Sequence, residues 1–489
     1  MCGIAGVVAK NSKKYEKDFR RMTSALINRG PDEEVIEFFD NCALGHRRLS
    51  IIDLKTGGQP MLTSDRQLGI VFNGEIYGYQ DIKKQLLDYK FQTTSDTEVI
   101  LALYDKYGEN FVKYLPGMFA FALWDDKNKK LIAARDRFGE KPFYYALGKN
   151  DEFIFASEIK AIIASGLIKP VLDLESMACY LRHLYIYPSK TIYKNVFVLP
   201  PAYRLVYQNG KIEIKRYWNL PAVNNEIEIN DAAEIFKDLL NKAVEKQLIA
   251  DVPVGAFLSG GLDSSTIVGI ASQFKPRIKT FSFAFRDSIN ELPFAHEIAR
   301  KYNTEHIELF DDKEDLGELL IKMQEVYDEP FGDSSNIPTY LISKLARKYT
   351  KVVLTGDGGD ELFGGYGWYK PFLFMNEKNS YLWRNEFVRF AARLARRLRG
   401  NQFLMNKMLG ARFKRDFTSA IGAHLSGQDI VLNNDDLKNF GLESISEKEL
   451  YKSSWQETND LNDIFRCDLE NYMPGDILVK TDRASMANG

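Results

Sequence analysis

Two halves of different fold class are predicted: an antiparallel β-rich domain covered by helices, then a parallel doubly wound α/β domain. Three observations carry this. Short apolar runs bounded by turn residues dominate residues 1–215. The pattern loosens at Trp218–Asn230, through Asn219, Pro221, Asn224, Asn225 and Asn230. From Asp231 onward, apolar strands alternate with longer helices, the signature of a parallel sheet. The 489 residues suit two domains of unequal size.

In the first half the strand-like runs are Gly3–Ala9, Leu68–Phe72, Phe119–Trp124, Leu131–Arg135, Phe143–Leu147, Phe153–Ala156 and Ala202–Tyr207. Helical periodicity covers Tyr15–Ile27 and Thr97–Phe111. In the second half the order is helix Ala232–Leu248, strand Val254–Leu258, helix Ser264–Gln273, strand Ile278–Ala284, helix Leu292–Tyr302 and strand Glu305–Leu309. Helix Leu316–Tyr327, helix Thr339–Lys348 and strand Lys351–Thr355 follow, and only helices are suggested after about Gly367. The domains are therefore drawn at 2–215 and 231–489, with 216–230 as linker.

With 65 Lys plus Arg against 67 Asp plus Glu, the net charge is −2, which argues against a dedicated nucleic-acid binder. At 45% hydrophobic and 27% charged, the chain has ample material for a buried core. The longest apolar run, Met118–Trp124, is far short of the roughly 18 residues of a membrane span. The apolar start lacks a preceding basic residue, so it does not read as a signal peptide, and a cytoplasmic location is expected. Cys2, Cys42, Cys179 and Cys467 are widely spaced, and the five histidines are not clustered, which speaks against zinc and disulfides. Arg384–Arg399 reads as a basic surface helix with Phe387, Phe390, Leu394 and Leu398 on one side; a membrane-surface helix is the alternative.

Cys2 follows the initiator Met. If Met1 is removed, one residue offers a thiol and an α-amine able to act as its base. Arg48, in Gly45-His46-Arg47-Arg48-Leu49-Ser50-Ile51-Ile52, can grip a carboxylate through parallel hydrogen bonds. Asn73-Gly74-Glu75 offers a side-chain amide and a backbone N–H toward a developing oxyanion. It also reads as a hairpin turn. Asp96, in Ser95-Asp96-Thr97-Glu98, is either part of a helix-capping box or a carboxylate facing an ammonium group. Together these meet the needs of glutamine hydrolysis.

Met1-Cys2-Gly3-Ile4-Ala5-Gly6, Arg29-Gly30-Pro31-Asp32, His46–Ile52, Asn73–Tyr77 and Ser95–Glu98 resemble the class II glutamine amidotransferase domain. The resemblance implies a four-layer αββα sandwich with an N-terminal nucleophile. It implies Cys2, Asn73 and Gly74 as catalytic residues. Glutamine binding would fall to Arg48, Leu49, Ser50, Ile51, Ile52, Asn73, Gly74, Glu75 and Asp96.

Ser259-Gly260-Gly261-Leu262-Asp263-Ser264-Ser265 joins an apolar strand to a helix. Glycines let the backbone approach a phosphate, and the helix N-terminus supplies N–H donors. No Lys follows, so it is not a Walker-type loop. Thr355-Gly356-Asp357-Gly358-Gly359-Asp360-Glu361 ends another strand. Mg²⁺ prefers oxygen ligands and substrate phosphates, and Asp263 and Asp360 are its candidate ligands. The pair of segments resembles the ATP-pyrophosphatase domain of glutamine-hydrolysing asparagine synthetases, and with the first half the resemblance covers the whole chain. It implies that Leu258, Ser259, Gly260, Gly261, Asp263, Ser264, Phe285, Thr355 and Gly356 bind ATP. It further implies that aspartate is adenylated and that ammonia from glutamine crosses an internal tunnel to form the amide. Homodimers are usual in that family.

Two departures stand out. Asp357 occupies a position where many relatives have Glu, a carboxylate linked to the ammonia step. After Gly489 the family pattern continues with Glu-x-Arg-x-Pro-Phe-Leu-Asp and a pyrophosphate-contacting Lys, so the synthetase half is expected to be cut short. Two alternatives stay open: a relative acting on another carboxylate (a sugar acid or peptide), and a chain with glutaminase activity only.

Overall fold

The computed structural model describes residues 1–223, 226–285, 291–311, 315–367, 369, 432, 434–442 and 461–489. The expected basic helix Arg384–Arg399 lies outside the described residues.

The first half carries strands β1 (Gly3–Val8), β2 (Glu33–Phe38), β3 (Cys42–Arg48), β4 (Met61–Leu62), β5 (Leu68–Ile76), β6 (Gly117–Asp125), β7 (Lys130–Arg135), β8 (Tyr144–Leu147), β9 (Phe153–Ala156), β10 (Phe197–Val198), β11 (Tyr203–Gln208) and β12 (Lys211–Arg216). Its helices are α1 (Glu16–Ser24), α2 (Tyr79–Gln85), α3 (Thr97–Tyr107), α4 (Ile159–Ala164) and α5 (Leu174–His183). Two six-stranded sheets form, in the orders β10-β8-β9-β1-β3-β2 and β12-β11-β7-β6-β5-β4, with antiparallel pairing between neighbours.

The period of two explains the layering. Along β6, Phe119, Phe121 and Leu123 join the core beneath α3, while Ala120, Ala122 and Trp124 join the core between the sheets. Both faces are buried, so the strand reads as a continuous apolar run rather than an alternating one. On the other sheet, Ala5 and Val7 of β1 pack under α1 and α4 with Phe19, Met22, Ile159 and Ile162. The result is the expected αββα sandwich. A Cβ on Gly6 would stand 2.1 Å from the Phe155 ring, so only glycine lets that ring fill the inter-sheet core.

The second half carries β13 (Val254–Phe257), β14 (Lys279–Phe285), β15 (Glu305–Asp311) and β16 (Val352–Leu354). Its described helices are α6 (Ile229–Gln247), α7 (Leu262–Phe274), α8 (Leu292–Lys301), α9 (Leu316–Tyr327), α10 (Asn336–Ala346), α11 (Gly359–Phe363), α12 (Asn434–Asn439), α13 (Leu461–Glu470) and α14 (Leu478–Met486). The strands form a four-stranded sheet in the order β15-β14-β13-β16, every pairing parallel. The order reverses at β13, so the loops leaving β13 and β16 flank the crevice where doubly wound sheets bind ligands.

The hairpin reading of Asn73-Gly74 is corrected. Both lie inside β5, with Asn73 opposite Ala120 and Gly74 opposite Phe119. A Cβ on Gly74 would stand 2.2 Å from the Met118 carbonyl oxygen, so the glycine serves close strand approach instead of a turn. The capping-box reading of Asp96 is corrected as well. Asp96 precedes α3, but its side chain caps nothing there and instead accepts from the Ile76 N–H at 3.0 Å.

Candidate active sites and the cavity between them

β1, β3 and β5 bring the first constellation together. The Cys2 N–H donates to Asn73 Oδ1 at 2.9 Å, and Cys2 Sγ lies 3.8 Å from the Leu49 carbonyl oxygen. Asn73 Nδ2 is buried without a hydrogen-bond partner. A buried unpaired donor beside a thiol is what an oxyanion site requires before substrate arrives.

The pocket around Cys2 is lined by Arg48, Leu49, Ile51, Ile52, Gly74, Glu75 and Asp96, all predicted, and by Gly57, Gln59, Phe72, Ser95 and Thr97, which were not. Ser50 stays off this wall; its N–H donates to Asp32 Oδ2 at 2.9 Å. Gln59 was illegible because its role is relational. Its amide bridges the Thr97 hydroxyl at 3.3 Å and the Phe72 N–H at 2.7 Å, tying the pocket walls together. Arg48 is aimed by the Asp53 carbonyl, which accepts from Nη2 at 2.6 Å.

Burial governs the ionisation of this pocket. It holds the Met1 amino terminus down at about 6. It raises Asp96 to about 6, against the opposing N–H of Ile76. It raises Glu75 to about 8, helped by the neighbouring Asp96 charge, and Glu75 Oε1 has no hydrogen-bond partner. His46 is buried against the Phe72 carbonyl and pushed down to about 3, so it stays neutral.

The second constellation gathers at the ends of β13 and β16. A cavity of about 280 Å³ is lined by Ser259, Gly261, Asp263, Ser264, Thr355, Gly356, Asp357 and Asp360. Phe257, Thr339, Ile342, Lys480 and Thr481 complete it, and none of these was predicted. Leu258 and Gly260 do not line it. The Leu258 side chain enters the apolar core, because successive residues of a strand face opposite ways and Phe257 takes the cavity side. Gly260 adopts φ +86, and a Cβ there would stand 2.6 Å from Phe294 Cβ. Phe285 ends β14, and its side chain lies outside the described residues.

Asp263 sits in the first turn of α7, close against the loop after β16; a Cβ on Gly359 would stand 2.6 Å from its carboxyl carbon. Burial, with the facing charge of Asp360, pushes its carboxyl up. Two such carboxylates beside a helix N-terminus suit a cation that is also held by phosphates. Among the described residues no cluster of three or more His, Cys, Asp or Glu offers a self-sufficient metal cage. Asp357 Oδ2 accepts from the Thr355 hydroxyl at 3.0 Å and the Thr481 hydroxyl at 2.7 Å.

Between the sites runs a cavity of about 450 Å³. Met1, Leu49, Ile51 and Glu75 belong both to it and to the Cys2 pocket. Phe257, Thr355, Asp357 and Thr481 belong both to it and to the β13/β16 cavity. Leu240, Val244, Val352 and Met486 give its middle an apolar lining. No described helix is long and apolar enough to cross a membrane.

Comparison with known proteins gives a matching pair of domains. The family model for the glutamine amidotransferase domain matches residues 1–218, and the model for asparagine synthase matches residues 236–489. A Methanocaldococcus jannaschii protein carrying the name putative asparagine synthetase (glutamine-hydrolyzing) 2 is 37% identical over 528 residues, covering 99% of this chain and 98% of that protein. Asparagine synthetase (glutamine-hydrolyzing) 1 of Bacillus subtilis is 33% identical over 505 residues, covering 100% of this chain and 78% of that protein.

Proposed function

This chain belongs to the asparagine synthetase family, and from that premise we propose that it forms asparagine from aspartate, glutamine and ATP. The observation that carries the reading is the shared lining: one cavity opens on the Cys2 pocket at one end and on the β13/β16 site at the other.

At the first site, Cys2 attacks the glutamine side-chain amide once Met1 is gone and the α-amine has taken its proton. Asn73 Nδ2 and the Gly74 N–H hold the oxyanion. Arg48 takes the glutamine carboxylate and Asp96 its ammonium. Ammonia leaves, and water releases glutamate from Cys2. At the second site, the aspartate side-chain carboxylate attacks the α-phosphate of ATP and pyrophosphate departs. The glycine-relieved loop 259–264 and the α7 N-terminus cradle the phosphates. Mg²⁺, which Asp263 and Asp360 would hold, supplies charge neutralisation on the phosphates. Ammonia crosses the cavity, adds to the acyl-adenylate, and AMP leaves with asparagine formed. An enclosed route has a physical reason: ammonia in water at pH 7 is protonated and no longer a nucleophile. Asp357, at the cavity's synthetase end, is placed to accept the proton that the adding ammonia gives up.

The domain division stays at 2–215, 216–230 and 231–489, and a cytoplasmic location and a homodimer are carried over from the family resemblance. The test is release of AMP, pyrophosphate and asparagine from this chain with ATP, Mg²⁺ and aspartate, using glutamine or ammonium. Asparagine from both nitrogen sources supports the proposal. Glutamate release without asparagine from either source would overturn the synthetase half.

A further inference from the structure

We infer that Asp482, on α14 of the second domain, is a positioning residue for the Cys2 nucleophile of the first, acting through Arg29. The inference rests on the proposed glutaminase role of Cys2.

The geometry is direct. Arg29 is fully buried. Its Nη1 and Nη2 donate to the two Asp482 oxygens at 2.7 and 2.9 Å, a bidentate pair. Its remaining edge, Nε, donates to the Cys2 carbonyl oxygen at 3.1 Å. One guanidinium thus joins the helix of one domain to the reactive residue of the other. Burial raises the Asp482 carboxyl, but the charges of Arg29 and Lys141 outweigh it and hold it well below the usual range.

Cys2 needs such a tether more than an interior residue does. Once Met1 is removed, it has a peptide link on one side only. Its remaining holds are Asn73 on the nitrogen, Arg29 on the carbonyl and the weak thiol contact with Leu49. Without the Asp482 carboxylate, Arg29 keeps a carboxylate partner in Glu158, at 3.3 Å from Nη1, itself shared with Arg483 and Lys160. A single point of attachment lets the guanidinium swing, and Nε then leaves the Cys2 carbonyl.

Domain attachment alone does not need this pair. The Asp53 N–H donates to Asp251 Oδ2 at 2.7 Å, the Asp251 N–H donates to the Ile51 carbonyl at 3.0 Å, and Arg216 meets Glu470 at 2.7 Å. What Arg29 adds is a bond to the nucleophile's own residue.

The experiment measures glutamate release and ammonium-dependent asparagine formation by the full chain. For Asp482→Asn, kcat for glutamine hydrolysis is expected to fall by roughly ten- to a hundredfold with KM for glutamine little changed, since misplacement of a reacting group acts on the chemical step. Ammonium-dependent synthesis should persist, and Asp482→Glu, which keeps the charge, should recover most of the loss. Arg29→Lys, which keeps the cation but loses the three-way fork, should reproduce the kcat loss and serves where Asp482→Asn does not fold. Unchanged kcat in these variants, or parallel loss of both nitrogen routes, would overturn the inference. A wild-type chain that releases no glutamate would instead remove the glutaminase reading on which it rests.

Discussion

The Thr481 hydroxyl donates to Asp357 Oδ2 at 2.7 Å, joining α14 to the loop that leaves β16. The Thr355 hydroxyl donates to the same oxygen at 3.0 Å. Two donors therefore fix a carboxylate one methylene shorter than the Glu of many relatives, at the end of the cavity where ammonia would arrive. Thr481→Val removes one donor. A hydrogen bond to a charged group is worth about 1.5–3 kcal/mol, so amide formation should slow by roughly ten- to a hundredfold. Pyrophosphate exchange, which precedes that step, should persist. The ratio of asparagine to AMP measures this, and an equal fall in exchange would contradict it.

Cys2→Ala removes the thiol from the pocket proposed for glutamine. Glutamine-dependent synthesis should vanish, while synthesis from added ammonium should continue at the wild-type rate. Equal loss with both nitrogen sources would refute the division of labour between the domains.

Motifs whose function depends on local backbone were legible. The β13–loop–α7 segment and the loop after β16 each place glycines where a strand must turn tightly, and sequence shows that directly. The buried central strand β6 was found because both its faces are apolar. β2 and β3 were missed for opposite reasons. Glu33–Phe38 is a largely exposed acidic edge, while Cys42–Arg48 hides His46 and Arg48 inside a buried strand. The roles of Arg29, Gln59 and Thr481 were not legible. Each depends on partners far along the chain, up to 453 residues for Arg29 and Asp482, and no local pattern encodes them.

Asp263→Asn keeps the shape of the side chain but removes the charge facing Asp360. Adenylation should fall sharply, read as loss of ATP–pyrophosphate exchange, and glutaminase activity should survive. The Mg²⁺ concentration giving half-maximal exchange should rise in whatever activity remains. An unchanged Mg²⁺ requirement would take Asp263 out of the metal assignment.

On the proposed role of Asp96 as the partner of the glutamine ammonium, it should set the acid limit of glutamine binding. Burial holds its carboxyl at about 6, and it accepts from the Ile76 N–H. Ammonium binding favours the ionised form, so its pKa falls in the complex. The sign follows: above pH 6 Asp96 is already ionised in the free site, and its own contribution to KM for glutamine is flat. Below pH 6 the proton must leave before glutamine binds, and KM climbs toward tenfold per pH unit. His46, at about 3, does not titrate in this window. Asp96→Asn should therefore raise KM at neutral pH and abolish its rise in acid. A KM that still climbs below pH 6 in that variant would move the ammonium contact to another group.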